Sequence, residues 1–292
     1  MNMITLQGKI FEEVERIKEA GKSRPMIDVA NIENNRGLMS YHKIINYRGD
    51  LIDVKVPKSI SPILLGLQVV GAFFFGGRSI VTESLNECID REAAIYKRLH
   101  DAGFPTFEPM QHLLYAGDIR LVKGVLLTKR VHNAIHPANH IADWTDSMKE
   151  AYAAEIFGLM KLLYEEHGEL WMDAGVKNTL YTVEKRMLYD FGLKPNPKIE
   201  KNILQIRSLE SFCFSLMHYG NMVPEIIASV FSDSYSPDKD FKVQMNSRFS
   251  KYLRSPSKVK CLLNTSLYFE YSKGLDYSQV NDVRVALLRT TN

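Results

Sequence analysis

The chain has 292 residues, 45% of them hydrophobic and 24% charged, with a formal net charge of +3. These values fit a folded chain that buries a sizeable core and exclude a disordered one. The basic residues are scattered and the three cysteines (Cys88, Cys213, Cys261) are far apart. No nucleic-acid tract, strong membrane-binding tract, zinc site or disulfide framework is therefore expected.

The opening residues, MNMITLQGKIFEEVERIKEAGK, carry acidic groups and no apolar core of signal-peptide type. The chain is expected to stay in the reducing compartment where it is made. Leu6, Ile10, Val14 and Ile17 recur at spacings of three and four, which predicts an amphipathic helix over residues 5–21, within an N-terminal extension of residues 1–24. From Pro25 to Pro57 the runs MIDVANI, LMSYHKIINY and LIDVKV alternate with the turn residues NNRG and RGD, the pattern of three antiparallel strands. The most apolar stretch, PILLGLQVVGAFFFGG at residues 62–77, falls short of the roughly 20 residues of a membrane-spanning helix and is expected to be buried or interfacial.

In ECIDREAAIYKRLHDAGF, Ile89, Ala93, Tyr96 and Leu99 share one helical face, and Gly103 and Pro105 supply the stop. HLLYAGDIRLVKGVLLTKRV then predicts two further strands around Ala-Gly-Asp and Lys-Gly turns, giving five strands with one helix between the third and fourth. Beyond Pro137 the pattern becomes helical, with Ile156, Leu159, Met160 and Leu163 in one stripe. An α+β chain follows, strand-rich over residues 25–135 and helix-rich over residues 136–292.

The stretch ELWMDAGVKNTLYTVEKRMLYDFGLKP, residues 169–195, places Asp173 five positions before Asn178 and follows them with Asp190-Phe191-Gly192. Phosphoryl transfer needs a carboxylate that accepts or orients the proton of the attacking hydroxyl and oxygen ligands that hold magnesium against a triphosphate. Asp173 suits the first task, Asn178 and Asp190 the second. The same residues are also common in turns and strand ends, so the stretch by itself leaves both readings open. Lys55 in LIDVKVPK lies on the third predicted strand, with Lys58 in reserve, and Glu92 lies mid-helix on an otherwise apolar face. As a pair they could orient a lysine toward phosphate; taken singly, each would be an ordinary solvated charge.

With these elements in order, the chain resembles the protein-kinase-like superfamily over about residues 25–195, and within it the bacterial lipopolysaccharide core kinases acting on heptose and Kdo. The long insertion after Lys55, the phrase REAAIYKRLHDAGFP and VLLTKRV carry the closer likeness. The resemblance implies a bilobal fold, with a five-stranded antiparallel sheet and an αC-type helix in the N-lobe and a mainly helical C-lobe. It implies ATP and magnesium as cofactors, Asp173 as base, Lys55 and Glu92 at the phosphates, Asn178 and Asp190 on the metal, and backbone groups near Leu127 to Val131 at the adenine. Gly37 would be the last glycine of a phosphate-covering loop whose first two positions are Ile32 and Asn34.

The acceptor would be a sugar hydroxyl of a glycolipid at the inner face of the cytoplasmic membrane, with residues 62–77 as a peripheral contact. Two alternatives remain at this point: a Ser/Thr protein kinase of effector type, and a pseudokinase that binds a protein partner. Trp171 and Met172 stand in place of the His-Arg of H-R-D, and Asp53 replaces the usual small residue two positions before the lysine.

Overall fold

The computed structural model describes residues 40–47, 49–57, 80–81, 83–113, 124–182, 185–254 and 277–291. The predicted helix over residues 5–21, the first predicted strand, Gly37, Lys58 and the apolar run at 62–77 lie outside them. The described chain divides into two compact units. The first holds residues 40–57, 83–113 and 124–133, and the second holds residues 80–81 and those from 134 onward.

In the first unit, β1 (Ser40–Tyr47) and β2 (Asp50–Pro57) form an antiparallel hairpin across Gly49, whose φ of 93° puts it in the left-handed region that favours glycine. β4 (Leu126–Lys129) pairs with the other edge of β2, so the sheet order is β1-β2-β4. Among the described residues this sheet has three strands rather than the five predicted; two of the predicted strands fall mainly on residues that are not described. Helix α1 (Leu85–Asp101) packs on β2 and β4. Its start is a capping box: the Ser84 hydroxyl accepts from the Glu87 N–H while the Glu87 carboxylate accepts from the Ser84 N–H. Its end is set at Ala102 and Gly103, as the sequence predicts. The unit's core is the alternating face Ile52, Val54 and Val56 together with Ile89, Ala93, Tyr96 and Leu99.

The second unit is mainly helical: α2 (Asp146–Glu165), α3 (Lys201–Gly220), α4 (Pro224–Tyr235), α5 (Lys239–Arg254) and α6 (Tyr277–Thr291). α3 is buried along most of its length and contacts the other four, because Leu204, Leu209, Phe212, Phe214 and Leu216 cover more than one face. Between α2 and α3 runs a short hairpin of β5 (Thr179–Tyr181) and β6 (Arg186–Leu188), followed by β7 (Lys194–Pro195), which pairs with β3 (Ile80–Val81). Among the described residues no helix is long and apolar enough to cross a membrane.

Candidate functional site

In the first unit the predicted pair forms. Lys55 Nζ lies 2.6 Å from Glu92 Oε2, and the Glu92 side chain is 2% exposed. The second carboxylate oxygen of Glu92 accepts from the Tyr96 hydroxyl at 2.9 Å, one helical turn on. Both oxygens are thus fixed, and the lysine is held at a defined point on the sheet face. A buried carboxylate that lost this charge would leave the ammonium without its anchor. Glu92→Gln keeps the shape and the Tyr96 contact but weakens the hold on Lys55. For a phosphotransferase that uses this lysine on magnesium-ATP, the substitution is expected to lower kcat/KM for the nucleotide by about tenfold or more, read from an ATP titration of transfer rate.

Leu127 and Val131 separate in this geometry. The Arg130 N–H donates to the Leu51 carbonyl at 2.8 Å, so the alternate residues Leu127 and Lys129 turn their backbone groups to the opposite edge of β4. There the Leu127 N–H donates to Gln111 Oε1 and its carbonyl accepts from the Met110 N–H, while the Lys129 N–H donates to the Glu108 carbonyl. Leu127 is fully buried with its backbone engaged, so it has nothing to offer a base. Val131, next on that edge, makes no hydrogen bond among the described residues.

In the second unit, Asp173, Asn178 and Asp190 are positioned by the β5–β6 hairpin. Thr179 faces Leu188, and one step beyond, the Tyr189 N–H donates to the Asn178 carbonyl at 3.1 Å. Asp190 follows immediately. The Asn178 amide nitrogen donates to the Asp173 carbonyl at 2.8 Å and to Asp173 Oδ2 at 2.9 Å. That fixes its orientation and turns Oδ1, a hard oxygen ligand, away from Asp173. Asp190 has φ 64°, in the left-handed region, which Asp adopts more readily than most residues with a β-carbon. Among the described residues no cluster of three or more His, Cys, Asp and Glu could hold a metal ion alone. Two side-chain oxygens, from Asn178 and Asp190, suit magnesium, which completes its shell with phosphate oxygens and water.

Several residues of this loop have no place in the motif-based reading. Lys177 Nζ lies 3.3 Å from Asp173 Oδ2, so the carboxylate is held by an ammonium as well as an amide. Ser208, Ser211 and Ser215, on one face of α3, meet the loop from below. The Ser211 hydroxyl donates to the Ala174 carbonyl at 2.9 Å, the Ser215 hydroxyl accepts from the Val176 N–H at 2.5 Å, and Ser208 Oγ lies 3.8 Å from Met172 Sδ. Trp171, in the place of the motif's histidine, is buried and donates its indole N–H to the Tyr189 carbonyl at 2.8 Å. The Tyr189 hydroxyl in turn donates to the Lys177 carbonyl. The segments that carry Asp173 and Asp190 are therefore cross-tied without a histidine at position 171. Beneath them the Tyr152 hydroxyl bonds Thr179 Oγ1 at 2.6 Å, and burial pushes that phenol up, so it stays neutral. Sequence could have signalled the serines, whose i, i+3, i+7 spacing in an apolar helix marks a polar seam.

No family model matches the chain, and no curated protein does. Solved structures similar to the chain include the following two. WaaP in complex with acyl carrier protein is 11% identical with a TM-score of 0.46, over 87% of this chain and 92% of that one. The kinase domain of Mycobacterium tuberculosis PknI, as its C20A mutant, is 14% identical with a TM-score of 0.39, over 87% and 91%.

Proposed function

We propose that the chain is an ATP- and magnesium-dependent phosphotransferase whose acceptor is an alcohol, and that this alcohol is a sugar hydroxyl of a lipopolysaccharide-type glycolipid. The observation that most supports the chemistry is the Lys55–Glu92 pair, 37 positions apart in sequence and closed at 2.6 Å around a buried carboxylate. An ammonium held there neutralises phosphate charge, and magnesium on Asn178 and Asp190 would supply the rest of the electrostatic stabilisation. Asp173 accepts or orients the proton of the acceptor hydroxyl. With Lys177 and Asn178 both donating to Oδ2, its main task is to aim that hydroxyl.

The test is transfer from γ-labelled ATP with magnesium into a bacterial extract split into glycolipid and protein fractions. Wild type should label the glycolipid, and Asp173→Ala should reduce that label by about 10² to 10⁴. Label in protein alone would replace the sugar acceptor with a Ser/Thr side chain. The absence of any Asp173-dependent label would leave a protein-binding pseudokinase.

A further inference from the structure

Asp53 stands on the same face of β2 as Lys55, opposite the buried Ile52, Val54 and Val56. In the pairing with β4, Lys55 faces Leu126 and Asp53 faces Thr128, so the step from Lys55 to Asp53 runs toward Arg130 and Val131. That step is about 6.6 Å along the strand. A nucleotide with its phosphates at Lys55 and its base at the Val131 backbone therefore lays its ribose over Asp53. The Asp53 carboxylate accepts from Arg130 Nη1 at 3.3 Å through Oδ1 alone. Oδ2 makes no hydrogen bond among the described residues, although burial pushes the carboxyl up against the opposing pull of Arg130. The Asp53 side chain is one-third exposed, so this acceptor oxygen, oriented by a guanidinium, is open to a hydroxyl donor from a bound ligand.

We propose that Asp53, oriented by Arg130, is a specificity-determining residue that reads the ribose hydroxyls of the nucleotide; this rests on the phosphotransferase reading above. The carboxylate accepts from the 2′- or 3′-hydroxyl, and Arg130 keeps the other oxygen occupied so that the open one faces the sugar. A small residue in this place, as the V-A-I-K pattern has, could not make such a contact.

The test is calorimetric titration of the full chain with magnesium complexes of ATP, 2′-deoxy-ATP and 3′-deoxy-ATP, for wild type, Asp53→Asn and Asp53→Ala, which needs no acceptor. Wild type should bind ATP about ten- to a hundredfold more tightly than one of the deoxynucleotides, the loss expected for a hydrogen bond to a charged group. Asp53→Ala should bring that ratio close to one by weakening ATP and leaving the deoxynucleotide unchanged, with the isosteric Asp53→Asn in between. Equal binding of all three nucleotides by wild type, discrimination that survives Asp53→Ala, or tighter ATP binding by Asp53→Ala would each overturn the ribose role while leaving the phosphotransferase reading in place. Failure of wild type to bind any of the three would overturn that reading, and the ribose role with it.

Discussion

Asp190→Gly should all but abolish magnesium-dependent transfer while melting at or above Asp190→Ala. The two effects have separate causes. Losing the proposed magnesium ligand would remove several kcal/mol of charge stabilisation in the transition state, a drop of roughly 10² to 10⁴ in rate. The backbone at position 190, with φ 64°, would hold the β-carbon of an alanine in a region that costs about 1–2 kcal/mol per L-residue, and glycine is free of that cost. Glycine's greater freedom in the unfolded chain takes back about 0.5–1 kcal/mol. Asp190→Ala loses the same carboxylate but keeps a β-carbon, so it should match the glycine variant in rate and fall below it in melting temperature. Calorimetric melting beside initial rates separates the cases. A glycine variant that kept its magnesium-dependent rate would remove Asp190 from the metal site.

The largest loss of stability is expected at a residue with no part in the proposed chemistry, Glu210. This carboxylate lies at the centre of the second unit, fully buried, with Arg284 Nε at 2.5 Å from α6 and Arg248 Nη2 at 3.5 Å from α5. Burial alone would raise its pKa; Arg284, Arg248 and Arg207 outweigh burial and hold it below its ordinary 4.5. Glu210→Ala leaves buried guanidinium charge facing an apolar core, and about 3–5 kcal/mol of stability should be lost. Chemical denaturation at neutral pH measures it.

The sign of the pH effect follows from the depressed value. The folded state binds its proton less readily than the unfolded one, so the contribution is complete above about pH 4.5 and falls away as pH drops through the lower folded value. Wild type and Glu210→Ala should differ most at neutral pH and converge in acid. A constant difference across the acid range would mean that the loss comes from packing and not from charge.

Much of this arrangement is legible in the sequence because it is locally encoded. Strand alternation puts Lys55 opposite Val54 and Val56, helix periodicity puts Glu92 with Ile89, Ala93 and Tyr96, and the spacing of Asp173, Asn178 and Asp190 survives any detail of the turn between them. The rest depends on which elements become neighbours. Whether Leu127 has a free backbone edge is decided by Gln111, 16 positions away, and periodicity within β4 carries no trace of that partner. Arg284 and Glu210 are 74 positions apart, each on a helix that reads as merely mixed, so their pairing is a property of the fold. The missing His-Arg at Trp171 and Met172 reads in the sequence only as a departure from a motif, and the tie from the Trp171 indole N–H to the Tyr189 carbonyl, 18 positions on, is visible only in the fold.

That indole also gives the molecule an optical probe. Trp171 is one of two tryptophans in the chain, buried, with its N–H on the carbonyl that directly precedes Asp190. Indole emission responds to the partner of its N–H and to wetting of its ring. With Trp144 replaced by Phe, the remaining fluorescence would come from a single reporter wired to the loop where magnesium is proposed to sit. Loading of that loop could then be followed in real time with no label and with neither Asp173 nor Asp190 altered.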